Sequence, residues 1–217
     1  MNTKRILSWG GFIVIIGLIT WGMVAAANKA EREAAGVAPV DAVTQNDHVK
    51  GNMDSKVTLI EYSDFQCPAC AAYHPLVEKV MTDYSDKIRF VSRHFPLPGH
   101  PNAIPAAKAS VAASEQGKFW EMHSELFVNQ TNWEKSTEAK TIFTGYAKKL
   151  GLDMEKFAID YESATTTDKI DASLKSGIKA GVNSTPTFYL NGKKIQAQTY
   201  EQFKKLIDEA LTATANS

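Results

Sequence analysis

The sequence predicts an α/β domain carrying a helical insertion, preceded by one N-terminal transmembrane helix. Three observations predict it. Residues 6–28 hold no charged side chain. A strand–helix–strand pattern runs over 57–95, and a strand–strand–helix pattern closes the chain from 187. Between them, roughly 80 residues read as helix alone.

Lys4 and Arg5 precede the apolar run 6–27, whose 22 residues would reach about 33 Å as a helix, enough to span a hydrocarbon core. Positive charge ahead of the run favours an inside N-terminus and an exported remainder. Ala25-Ala26-Ala27 could also serve as a signal-peptide cleavage site, so an uncleaved anchor and a cleaved peptide both stand. Either places the two cysteines where disulfides persist. Residues 1–28 are thus read as anchor or signal, and 29–52, which lack a sustained period, as a tether.

Residues 57–62 (VTLIEY) are β-branched and apolar, as in a central strand covered on both sides. Tyr73, Val77, Val80, Met81 and Tyr84 then line one helix face, with Pro75 inside as an expected kink. Residues 88–95 return to strand, which makes a βαβ unit with parallel strands. Helices are expected over 103–116, 118–129, 137–150, 153–161 and 166–180. Residues 187–190 and 193–196 form a hairpin around Asn191-Gly192. Thr199 and Gln202 have the spacing of a capping box for the last helix. Residues 53–100 and 181–214 therefore form one domain, and 101–180 an insertion into it.

The 217 residues carry 24 basic and 24 acidic side chains. That balance does not point to nucleic acid as a partner. The chain has only two cysteines, too few for a stapled scaffold but enough for one site. Cys67-Pro68-Ala69-Cys70 falls at a strand-to-helix junction, with Cys67 at the N-cap and Cys70 one turn in. Free N–H groups and the helix dipole would stabilise a Cys67 thiolate. Pro68 is tolerated in a first turn. A closed, inert disulfide is one alternative, although so short a loop makes a poor staple. A metal site is another, since Cys67, Cys70 and His74 share a helix face; it lacks a fourth ligand. His94, His100 and His123 are scattered in sequence and suggest core or surface roles. Phe119, Trp120, Met122, Leu126 and Phe127 suggest the core of the insertion, or a groove beside the thiols. No phosphate loop, hydrolase triad or haem motif is present.

Three segments carry a resemblance: EYSDFQCPACAAYHP (61–75), GKFWEMHSELFVNQ (117–130) and GVNSTPTFYLNGK (181–193). In this order they resemble the DsbA-like branch of the thioredoxin superfamily, most closely its membrane-anchored bacterial members, over residues 47–211. The resemblance implies a thioredoxin-like core with an inserted helical domain. It implies that Cys67 is the nucleophile, Cys70 the resolving thiol, and Pro186 a cis-proline. Thr185, Pro68 and Ala69 would then meet substrate, and Glu61 would be a buried acid beneath the thiols. An ordinary edge-of-sheet carboxylate is the other reading of Glu61.

Further expectations follow from the same resemblance. The chain would be an extracytoplasmic thiol–disulfide oxidoreductase, held to the cell membrane by a single pass, that oxidises exported proteins with free thiols. A quinone-linked membrane oxidant would regenerate it. It would use no organic cofactor and no metal, and would act as a monomer. A reductase or isomerase with the same residues, or a tethered binding module for unfolded chains, are the alternatives. Strongly oxidising members often carry a histidine between the cysteines. Ala69 offers neither charge nor hydrogen bond, so a less oxidising potential is expected.

Overall fold

A computed structural model describes residues 20–23, 26 and 40–215, and the chain divides into two units, 1–39 and 40–217. The expected anchor falls almost wholly outside the described residues. Among those, no helix is long and apolar enough to cross a membrane.

The second unit is built on five strands: β1 (His48–Gly51), β2 (Thr58–Ser63), β3 (Arg89–His94), β4 (Thr187–Leu190) and β5 (Lys193–Ile195). Their order is β1-β3-β2-β4-β5. β2 and β3 pair in parallel across helix α1 (Pro68–Tyr84), as a βαβ unit requires. The other neighbours are antiparallel. β2 is the middle strand and is buried along its whole length, which is why its sequence shows no polar face. Asn191 (φ 47°) and Gly192 (φ 78°) both adopt the left-handed region that turns β4 tightly into β5.

Strand β1 lies inside the segment read as a tether, which is a correction to that reading. Four residues are too few to show a period, and HVKG has only Val49 as a β-former. What fixes the strand is long-range. Arg93 bonds both carboxylate oxygens of Asp47 (2.7 and 3.0 Å) and the carbonyls of Asp41 and Ala42. The indole of Trp120 donates to Val49 O at 3.1 Å.

Six helices connect β3 to β4: α2 (Ala103–Ser114), α3 (Phe119–Val128), α4 (Gln130–Trp133), α5 (Ala139–Lys149), α6 (Met154–Glu162) and α7 (Ala164–Lys179). Five match expected segments to within a few residues at their ends; the single turn α4 has no periodicity to reveal it. The last helix, α8 (Tyr200–Ala215), starts directly after Thr199, the N-cap of the expected capping box. Gln202 bonds back to the Gln198 N–H at 2.6 Å, and Thr199 Oγ1 accepts from the Gln202 N–H at 3.3 Å. α1 runs through Pro75.

Alternation along the strands sorts the core. Leu59, Phe90, Phe188 and Leu190 pack with Val77 and Val80 of α1 and with Phe203 and Ile207 of α8. Ile60, Tyr62, Val91 and Tyr189 face the other way, toward α7. There Gly177 is needed for contact: a Cβ at this position would lie 2.6 Å from the Phe95 ring. Glu61 shares the parity of Leu59, so it faces α1, the helix that carries the cysteines.

Candidate active site

The end of β2 runs through Ser63-Asp64-Phe65-Gln66 into the N-terminus of α1. Cys67 is the N-cap, extended at φ −71° and ψ 122°, with Pro68 starting the helix. No other side chain caps this end, which leaves the Ala69 and Cys70 N–H groups to the Cys67 sulfur. Cys67 is 7% exposed and Cys70 is fully buried. Both thiols are unpaired in the structure. The Thr185–Pro186 peptide is cis, and the Cys67 thiol donates to the Thr185 carbonyl at 3.4 Å. The loop ahead of β4 thus closes over the thiol.

The two thiols differ sharply. The Cys70 thiol donates to the Cys67 sulfur and, with the Thr185 side chain and the N–H groups of Cys70 and Ala69, outweighs desolvation. The Cys67 pKa is pushed down to about 5. Burial pushes Cys70 well up, and the charges of Glu61 and Cys67 act in the same direction. Ala69 bears on the Cys67 thiol through its backbone N–H. Glu61 is 3% exposed in the middle strand, which removes the edge-of-sheet reading. Burial raises its pKa to about 7, against a smaller lowering contribution from Ser63.

From Asp64 onward the loop before Cys67 is held by side-chain hydrogen bonds, while Ser63 Oγ, at the end of β2, is buried without one. Asp64 Oδ1 accepts the Gln66 N–H (2.7 Å); its Oδ2 accepts the Leu97 N–H (2.9 Å) and pairs with His100 Nδ1 (2.6 Å). Gln66 donates to Glu134 O and accepts from the Asn102 N–H, both at 2.6 Å. Gln130 donates to Phe65 O (2.6 Å) and Cys67 O (3.0 Å). The helical insertion thus grips the loop at several points. The sequence reading missed Asp64, Gln66 and Gln130. Their one visible signal was that each lies within a resemblance segment.

The histidines are not scattered in space. His74 of α1 and His123 of α3 have ring centroids 5.4 Å apart, and His48 and His94 lie 5.6 Å apart across β1 and β3. Phe65 contacts both His94 and His123, and His48 stacks on Phe119 at 3.6 Å. His94 Nε2 and both nitrogens of His123 are buried with no hydrogen-bond partner. Burial holds all four imidazoles below the ordinary histidine range, with His94 at about 4. Among the described residues, no three His, Cys, Asp or Glu side chains are arranged to hold a metal ion. Met122, Leu126 and Phe127 are buried in one core with both cysteines, and Phe119 is buried as well. Trp120 is partly buried against the α1–α8 core. They are packing residues, not the lining of a groove.

A thioredoxin family model matches residues 43–209. The Na(+)/H(+) antiporter NhaA of Herminiimonas arsenicoxydans is 36% identical over 158 residues, 73% of this chain and 24% of the antiporter. The Na(+)/H(+) antiporter NhaA 1 of Mycolicibacterium gilvum is 38% identical over 159 residues, 72% of this chain and 25% of that protein. The chain spans about a quarter of the length of the curated relatives it matches. A thioredoxin-like oxidoreductase from Silicibacter pomeroyi superposes with a TM-score of 0.66 at 29% identity, covering 77% of this chain and 93% of that one. Oxidised BdbD from Bacillus subtilis superposes at 0.71 and 23% identity, covering 81% and 98%. Wolbachia pipientis alpha-DsbA1 superposes at 0.71 and 22%, covering 79% and 94%.

Proposed function

The chain belongs to the thioredoxin superfamily, with the fold of its DsbA-like branch, and from that membership we propose that it is a dithiol oxidase working through Cys67 and Cys70. One arrangement carries the reading: Cys67 caps α1 beneath the cis Thr185–Pro186 loop with Cys70 fully buried one turn in, which drives Cys67 down to about 5 and Cys70 well up. A thiolate stabilised in the reduced form makes the dithiol easy to form, so the oxidised pair takes electrons readily.

In the proposed reaction a substrate thiolate attacks Cys67 Sγ of the Cys67–Cys70 disulfide. The S–S bond breaks, and Cys70 leaves as a thiolate that takes up a proton. The substrate's second thiolate then attacks its own sulfur in the mixed disulfide and expels Cys67. Two electrons pass from the substrate dithiol to the protein. Buried Glu61, titrating near neutrality on the α1 face of the sheet, is suited to hold the proton exchanged with Cys70. The Thr185–Pro186 loop, together with Pro68 and Ala69, would hold the substrate chain beside Cys67.

The wider setting belongs to the same proposal: a domain on the extracytoplasmic side of the membrane, tethered by residues 6–27, acting as a monomer on exported proteins and needing no organic cofactor or metal. A quinone-linked membrane oxidant would reoxidise it. The test is oxidation of a reduced two-cysteine peptide, with the potential measured against glutathione. Cys67→Ser should abolish turnover, and the wild-type potential should lie well above the roughly −270 mV of thioredoxin. A potential at or below that value would turn the reading into a reductase.

A further inference from the structure

Gln130 begins α4, in the helical insertion, and is 5% exposed. Its amide nitrogen donates to Phe65 O and Cys67 O at 2.6 and 3.0 Å. These carbonyls bracket the last residue before the thiol. Cys67 O also accepts the Ala71 N–H at 3.2 Å, so it is the carbonyl that opens the helix. An N-cap usually has its own side chain on the free N–H groups. Here that side chain is the reactive sulfur, and no ordinary cap holds the turn.

We infer that Gln130 is a positioning residue for Cys67: it fixes the Phe65 and Cys67 carbonyls so that the first-turn N–H groups of α1 stay aimed at Sγ. The inference rests on the thiol-exchange reading above and deepens it. A primary amide carries two N–H donors, one for each carbonyl. Both hydrogen bonds are buried, so the pairing is worth more than an exposed one. The thiolate depends in part on the Ala69 and Cys70 N–H groups, and their aim depends on the Cys67 backbone angles that Gln130 holds. The insertion thus helps set the acidity of a thiol carried by the sheet domain.

The competing explanation is that Gln130 only docks the insertion. Gln66 separates the two. Its side chain also bonds across to Glu134 O and the Asn102 N–H, yet touches neither carbonyl. The experiment follows the thiolate absorbance of the reduced full-length protein against pH for wild type, Gln130→Met and Gln66→Met. Gln130→Met should raise the Cys67 midpoint by about one pH unit, a tenfold change in thiolate stabilisation. The redox potential should fall by the equivalent of about 30 mV. Gln66→Met should leave the midpoint in place. If Gln130→Met does not fold, Gln130→Asn, one methylene too short to reach both carbonyls, carries the same expectation. A depressed wild-type midpoint that Gln130 variants leave unmoved, or that both glutamine variants move equally, overturns the inference. A wild-type midpoint in the ordinary thiol range overturns the exchange reading itself.

Discussion

The loop that carries Cys67 and the histidine cluster beside it share Phe65 as a wall, and both lie between the sheet and the helical insertion. Ser63 Oγ aside, they treat buried side-chain polar atoms in opposite ways. Around the loop, Asp64 meets three partners, and Gln66 and Gln130 meet two each. In the cluster, His94 Nε2 and both nitrogens of His123 meet none. A satisfied network holds one geometry, because any shift breaks several bonds together. An unsatisfied ring behaves as an apolar plate until it takes up a proton, when burial turns it into a liability. The network therefore holds the loop in one geometry, and Gln130 alone within it reaches the carbonyl of the reactive cysteine, while the cluster's polarity leaves a dependence on pH.

The largest effect should come from breaking the satisfied side. Asp64→Ala removes the acceptor of two backbone N–H groups and of His100. Asp64 and Gln66 are buried, whereas Leu97 and His100 are half-buried. At about 1–3 kcal/mol for a fully buried stranded group and less for a half-buried one, the loss should be about 3 kcal/mol. Urea unfolding would measure it, and a cost below about 1 kcal/mol would mean that the loop is not held this way.

Acid should attack the unsatisfied side. His94 titrates near 4 when folded and near 6.5 when unfolded. Below 6.5 the unfolded chain takes up a proton that the folded one refuses, so stability is present above 6.5 and is lost as pH falls toward 4. His48, His74 and His123 are shifted in the same direction. The nearby cations Lys50 and Lys169 deepen the shift, and Glu78 opposes it at His74. Glu61 runs the opposite way. Raised to about 7, it contributes stability below 4.5 that is lost as pH rises through 7, and it would mask one histidine. In a Cys67→Ser, Cys70→Ser, Glu61→Gln background, His94 alone should cost about 2 kcal/mol between pH 7 and 5, and the others should add to it. Denaturant midpoints that stay level across that range would show that the cluster is hydrated.

These two regions were unequally legible. The cysteines, Pro186 and the order of the elements could be read because each leaves a local mark: a spacing, a proline before a strand, a period of 3.6 or 2. Glu61 could be placed on the α1 face once its strand was known. Gln130 sits 63 residues from Cys67, and only the packing of α4 on the loop brings the two together. The histidines come from β1, α1, β3 and α3, and no spacing relates them. Strand β1 was hidden for the same reason, since Arg93 and Trp120, which hold it, lie 46 and 71 residues away from their partners.

The smallest expected change is the most direct probe of the contrast. His123 is 2% exposed, ringed by Phe65, Phe119, Trp120, Phe127 and His74. His123→Phe removes two buried nitrogens that have no partner, a gain of about 1–3 kcal/mol by the usual penalty for such groups. The larger ring must fit the same space, at an overpacking cost of similar size, about 1–3 kcal/mol. The net at neutral pH should therefore stay within about 1 kcal/mol of zero, whereas truncation of any residue in the loop network should destabilise. The slope with pH is the sharper reading. One fewer proton is taken up on unfolding, so the loss between pH 7 and 5 should shrink while the Cys67 thiolate midpoint stays put. A large loss at neutral pH together with an unchanged acid slope would mean that the His123 nitrogens are bonded in solution, and the division between a satisfied loop and an unsatisfied cluster would fall with it.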